Sequence, residues 1–203
     1  MIPLHSRFWG KVDLAAYPEL DPGGLPGSLL EDFKFTRDGF AENWAKVRKE
    51  WPTHIAAAGL DTSGTGGFPV HWGDGVALLD KLAESKTGFT DYYDKCVSVW
   101  ATRVQTTIHG DFNTGNVWKD KSQAGKHAVA DWQGLRKGPA GSDWVTFIGT
   151  IDHDVVPTAT IKDTLVKYHA ALVDATGGNA AEDYPLDQML DDISLIMPHY
   201  KCL

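Results

Sequence analysis

The stretch IHGDFNTGNVW at residues 108–118 decides how this chain is read. Thr107 and Ile108 suggest a short strand, His109-Gly110-Asp111 leaves it, and the loop that follows carries Asn116 five residues after Asp111. Downstream, Ala128-Val129-Ala130 suggests another short strand, which delivers Asp131-Trp132-Gln133 onto a turn; residues 138–144, GPAGSDW, add Asp143. Phosphoryl transfer needs a carboxylate to orient or accept the proton of an attacking hydroxyl, and oxygen ligands for the metal that bridges the phosphates. An aspartate with an asparagine on one loop supplies the first and part of the second. An aspartate on a neighbouring turn supplies the rest.

Composition sets the frame around this loop. At 203 residues and 42% hydrophobic, the chain is long enough to bury a sizeable core as one domain or a large lobe. Its 27 acidic and 19 basic side chains give a net charge of -8, which argues against a nucleic-acid partner and requires a cation between the protein's carboxylates and any bound phosphate. Two cysteines, Cys96 and Cys202, make no disulfide framework and fit a reducing compartment. No stretch approaches the roughly 20 apolar residues of a membrane helix, so the expected location is cytoplasmic, with no membrane partner.

Working outward, residues 1–10 (MIPLHSRFWG) are compatible with the end of a helix, without room to begin one, and residues 17–27, with Pro18, Pro22 and Pro26, read as an irregular connection. Phe40, Trp44, Val47 and Trp51 recur at helical spacing behind Asp38, a candidate cap, until Pro52. Residues 59–75 are a glycine-rich loop; GTGG within it lacks the G-x-x-x-x-G-K-[ST] pattern of a phosphate loop. Val76, Leu79 and Leu82 mark a short helix after Asp74, and Tyr92, Cys96, Val99, Trp100 and Val104 another running toward residue 105. Trp144, Phe147 and Ile148 open a helix after Asp143, and Ile161, Leu165, Tyr168 and Leu172 mark one ending at Gly177-Gly178. A last helix, from Tyr184-Pro185, places Leu186, Met189, Leu190, Ile193 and Met197 on one face. The expected architecture is mainly α with a small β element around the loop.

These motifs resemble the family of aminoglycoside phosphotransferases and choline kinases, which share the protein-kinase-like fold, and most closely its ecdysteroid-kinase-like branch. The resembling positions are His109, Gly110, Asp111, Asn116, Asp131, Trp132, Gln133 and Asp143, and LHSRFWG, YHAALVDATGG and YPLDQMLDD extend the likeness toward both ends. The resemblance implies Asp111 as catalytic base, Asn116 and Asp131 as ligands of Mg2+, ATP as phosphate donor and a small-molecule alcohol as acceptor. Asp143 would support the catalytic loop from a buried position, and His109 would be a scaffold residue. It further implies that residues 1–203 form the C-terminal lobe of that fold, with the catalytic loop at 108–118, a metal-binding turn at 130–133 and a supporting loop at 138–144. On this expectation the β-rich nucleotide-gripping lobe is absent, the isolated chain catalyses poorly, and self-association or a partner covers the face that lobe would meet. Asn113 departs from the branch, where many members carry tryptophan or histidine.

Two other readings remain open on the sequence alone: a catalytically silent nucleotide- or ligand-binding relic, and a metal-dependent hydrolase using His109, Asp111, Asp131, His153 and Asp154. The ordinary readings are a solvated loop for Asp152-His153-Asp154, a solvated helix face for Asp183, Asp187 and Asp191 in place of a cation-attracting one, core packing for Trp118, Trp132 and Trp144, and a small buried residue for Cys96. The sequence contains no G-x-S-x-G elbow, H-E-x-x-H pair or C-x-x-C pair.

Overall fold

Apolar side chains spaced three and four apart over most of the chain make helices the dominant element, and among the described residues the β structure is confined to short pieces around residues 106–138. The computed structural model describes residues 1–11, 27–70, 73–85, 87–123, 125–151 and 155–200, without the side chains of 27–38 and 196–200. The irregular connection expected at 17–27 lies outside these residues except for Gly27, and Asp152-His153-Asp154 lies outside them entirely. The described elements are α1 (Ile2–Arg7), α2 (Gly27–Ala57), α3 (Gly73–Glu84), α4 (Gly88–Ala101), β1 (Thr106–Ile108), β2 (Val117–Lys119), β3 (His127–Val129), β4 (Arg136–Gly138), α5 (Gly141–Gly149), α6 (Thr158–Ala175), α7 (Asn179–Asp183) and α8 (Leu186–Tyr200). None of the described helices is long and apolar enough to cross a membrane.

The chain divides into two compact units, Glu31–Val97 and Met1–Leu30 with Ser98–Leu203. In the first, Phe40 of α2 stacks on Phe89 of α4 with ring centroids 4.2 Å apart, and Trp44 packs 6.1 Å from Phe68 while its Nε1 donates to Asp80 at 2.8 Å. Val76, Leu79, Tyr93 and Cys96 complete this core. Two expectations fail here. Asp38 does not cap a helix and Pro52 does not end one, since both lie inside α2. Proline removes one helix hydrogen bond, and interior proline costs roughly 3 kcal/mol, but burial of Ile55 beyond it rewards continuing the helix. Trp51 is correspondingly not core: it is 47% exposed, while Pro52 faces the glycine-rich loop so closely that a Cβ on Gly67 would meet it at 2.8 Å.

In the second unit α1 packs against α6 and β1, and α5 packs along α8. Residues 2–7 are helical, α1, with Pro3 in the first turn, where a missing N–H costs nothing. The α4 helix stops at Ala101, short of Val104. Close approach of α5 to α8 depends on Gly141, since a Cβ there would meet the Tyr184 hydroxyl at 2.7 Å. Beside it, Asp192 is buried and takes a two-pronged ion pair from Arg103, Nε and Nη2 each at 2.7 Å, plus the Tyr184 hydroxyl at 3.0 Å. That side-chain hydrogen bond, opposed by burial, raises Arg103 above its ordinary value. The acidic series is reassigned accordingly. Asp183 belongs to α7 and accepts from Trp9 Nε1 at 3.0 Å, whereas Asp187 and Asp191 are exposed on α8.

Candidate functional site

The loop at 109–116 is held from below by one carboxylate. β1 pairs antiparallel with β4, Ile108 opposite Arg136, and the chain turns away at Gly110, whose φ of +81° is open to glycine at little cost. A Cβ at Gly110 would lie 2.1 Å from the Gly134 carbonyl, so the approach of the two turns also needs glycine. Asp143, in the first turn of α5 and 1% exposed, accepts from the backbone N–H of His109 at 2.9 Å (Oδ2), from that of Gly110 at 2.9 Å (Oδ1), and from His5 Nε2 at 3.0 Å (Oδ2). Three fixed donors are what a fully buried carboxylate requires.

Behind Asp143 the chain of contacts continues to α6. The hydroxyl of Tyr168 bonds His5 Nδ1, and burial first, then the nearby Asp143 charge, push that hydroxyl well above the usual phenol range. A protonated Tyr168 donates to Nδ1, which leaves the His5 proton on Nε2, facing Asp143. The Thr106 hydroxyl ties α1 to β1 by donating to the His5 carbonyl at 2.7 Å.

His109 is buried and engaged at both ring nitrogens. Asp111 N–H donates to Nδ1 at 3.3 Å, so the ring proton is on Nε2 and donates to the Ala130 carbonyl at 2.9 Å. Its ring lies 4.7 Å from that of Trp132. The imidazole thereby joins the loop to the turn that carries Asp131, and neither nitrogen is available to a metal. The hydrolase reading loses a ligand by this.

Above this support, Asp111 is half-buried and met by two amides. Asn113 Nδ2 donates to Asp111 Oδ1 at 2.9 Å, and Asn116 Nδ2 donates to the Asp111 carbonyl at 2.9 Å and to Oδ2 at 3.3 Å. These two bonds commit the Asn116 side-chain nitrogen to Asp111. Asn113 caps the single 3-10 turn Thr114–Asn116, its Oδ1 accepting from the N–H of Gly115 at 2.8 Å and of Asn116 at 3.1 Å.

Asp131 arrives from the other side. β2 pairs antiparallel with β3, Val117 opposite Val129, and the ladder continues by an Ala130 N–H to Asn116 carbonyl bond of 2.9 Å, so the residue preceding Asp131 is fastened to Asn116. Asp131 has φ 62° and ψ 60°, the left-handed region, and is the non-glycine residue with positive φ among the described residues. Its carboxylate is exposed and makes no capping bond to the 3-10 turn Trp132–Gly134 that follows. An exposed carboxylate on a left-handed backbone position is free of its own turn and open to solvent.

Residues 66–177 match the sequence profile of the ecdysteroid kinase-like family. The chain belongs to that family. No curated protein and no solved structure matches it. Membership in a kinase-like family and a mainly helical fold with two small antiparallel sheets agree with the fold class and the kinase-like activity that the loop suggested. The matched region includes Asp111, Asn116, Asp131 and Asp143 and ends before α7 and α8.

Members of kinase-like families use ATP with Mg2+, and the donor set here suits that ion. Mg2+ takes one or two side-chain oxygens and completes its shell with phosphate and water, and Asn116 and Asp131 offer one side-chain oxygen group each. Among the described residues no three His, Cys, Asp or Glu side chains converge as an all-protein metal cage. Two tryptophans are misplaced by the expectation of core packing: Trp118 is 63% and Trp132 43% exposed, flanking Asn116 and Asp131 in the chain, while Trp144 is half-buried against Phe147 and Tyr168. His5 and Tyr168 carry no sequence signal of their link to Asp143, because 138 residues separate His5 from Asp143 and 163 separate it from Tyr168.

Proposed function

We propose that this ecdysteroid kinase-like chain transfers the γ-phosphoryl group of ATP to a hydroxyl of a small-molecule alcohol, with Asp111 as base and Asn116 and Asp131 as the residues that hold Mg2+. When bound, the ion neutralises charge on the phosphates. Asp111 orients the acceptor hydroxyl and takes its proton as the new P–O bond forms and the bond to the leaving ADP oxygen breaks. Asn116 serves two ends of the step, its Nδ2 on Asp111 and its Oδ1 toward the phosphates. Asp131 supplies a carboxylate for the cation that must stand between an acidic protein and the phosphates.

The observation that carries this reading is the pairing of Asn116 with Asp111 on one buried-anchored loop, with the exposed Asp131 following Ala130, whose N–H is bonded to the Asn116 carbonyl. Asp111→Asn keeps the shape and removes the proton acceptor. Phosphate transfer over a panel of amino alcohols, sterols and aminoglycosides should fall by roughly a hundredfold or more relative to wild type, whereas Mg-dependent ATP affinity should hold within about twofold. Equal transfer by wild type and Asp111→Asn would remove Asp111 from this role.

A further inference from the structure

The side chain of Asn113 is used at both ends. Its Oδ1 accepts two backbone N–H groups, Gly115 at 2.8 Å and Asn116 at 3.1 Å, which fixes the amide orientation, since a flipped NH2 would face two donors. The same constraint aims Nδ2 at Asp111 Oδ1, at 2.9 Å. One short side chain therefore holds the backbone of Asn116 and the carboxylate of Asp111 in a common frame.

We propose that Asn113 is a positioning residue for phosphoryl transfer, setting the Asp111 carboxylate through Nδ2 while capping the turn that presents Asn116. The inference rests on the phosphotransfer reading above. With Oδ1 of Asp111 turned to Asn113 and Oδ2 to Asn116, the carboxylate cannot rotate about its terminal torsion, and an acceptor hydroxyl meets it in one orientation.

Asn113→Asp separates the two functions. A carboxylate is as good a cap acceptor as the amide, so the turn survives, but the donor is lost and a like charge faces Asp111. The melting temperature should fall modestly through the new like-charge contact, while the Gly115 and Asn116 amide NMR signals keep their hydrogen-bonded positions. The transfer kcat should fall roughly ten- to hundredfold with KM for ATP changed less than about twofold. Asn113→Ala removes cap and donor together, and should add a severalfold rise in the Mg2+ concentration needed for half-maximal rate. Wild-type kcat in Asn113→Asp, with Asp111→Asn impaired, would overturn the proposal. If wild type itself transfers no faster than Asp111→Asn, the phosphotransfer reading has failed, and the Asn113 side-chain NH2 signals decide whether the link to Asp111 exists. Slowed exchange and a downfield shift that disappear in Asp111→Asn support it, and signals indifferent to that substitution overturn it.

Discussion

Asp143 and Asp131 have the same side chain and opposite circumstances. Asp143 is 1% exposed and its two oxygens receive three donors, two from the loop backbone and one from His5. Asp131 is exposed, sits at φ 62°, and makes no capping bond to its own turn. In the first case the environment consumes everything the carboxylate offers, so it holds structure together and has nothing left for a ligand. In the second the chain adopts a left-handed backbone conformation and displays an exposed carboxylate that makes no capping bond to its own turn. The same side chain is consumed by buried hydrogen bonds in one place and displayed to solvent in the other.

The largest effect that breaks this contrast is Asp143→Ala. It strands the N–H groups of His109 and Gly110 and the His5 ring in a buried site, and should cost about 3–5 kcal/mol in urea unfolding; a loss under about 1 kcal/mol would show that the loop is held by something else. Gly110→Ala comes next, about 2–4 kcal/mol, because the new Cβ would meet the Gly134 carbonyl at 2.1 Å on a backbone with φ +81°.

Tyr168→Phe is smaller and depends on pH. Burial and then Asp143 raise the Tyr168 hydroxyl, and burial and then Asp192 raise that of Tyr184, so the folded chain keeps protons that the unfolded chain releases near pH 10. Stability should accordingly be fully present at neutral pH and fall as pH rises past about 10. Tyr168→Phe should lose about 1 kcal/mol at neutral pH through the broken bond to His5, yet show a shallower decline between about pH 8 and pH 10.5, comparing unfolding curves at the two values. An identical slope would mean that the Tyr168 hydroxyl does not contribute to the alkaline limb.

The sequence made the outer half of this contrast legible and most of the inner half invisible. Asp111, Asn116 and Asp131 stand in a short segment that local pattern singles out as a candidate site, and α3, α5, α6 and α8 announce themselves by apolar periodicity. His5 and Tyr168 meet Asp143 only through folding, across gaps that no local pattern spans. Asp192 is hidden for a related reason. It follows exposed Asp191 by one residue, and one step around a helix, about 100°, exchanges solvent for the Arg103 guanidinium. The path of α2 through Pro52 was illegible because local propensity argues for a stop there, while burial of Ile55 beyond the proline is a tertiary gain.

The smallest stability effect has the opposite sign. Asp131→Gly relieves the left-handed strain and should leave the chain as stable as wild type or up to about 1 kcal/mol more stable. A clear destabilisation would show that the Asp131 side chain is structural after all.

The central claim, that Asp131 displays its carboxylate to hold Mg2+ on ATP, is tested most directly by titrating ATP with and without Mg2+ into wild type and Asp131→Ala, following the Asn116 and Ala130 amide signals. Wild type should bind ATP at least about tenfold more tightly when Mg2+ is present, with both signals moving, and Asp131→Ala should lose that enhancement while its other resonances stay in place. The same Mg2+ enhancement in Asp131→Ala as in wild type would contradict the account.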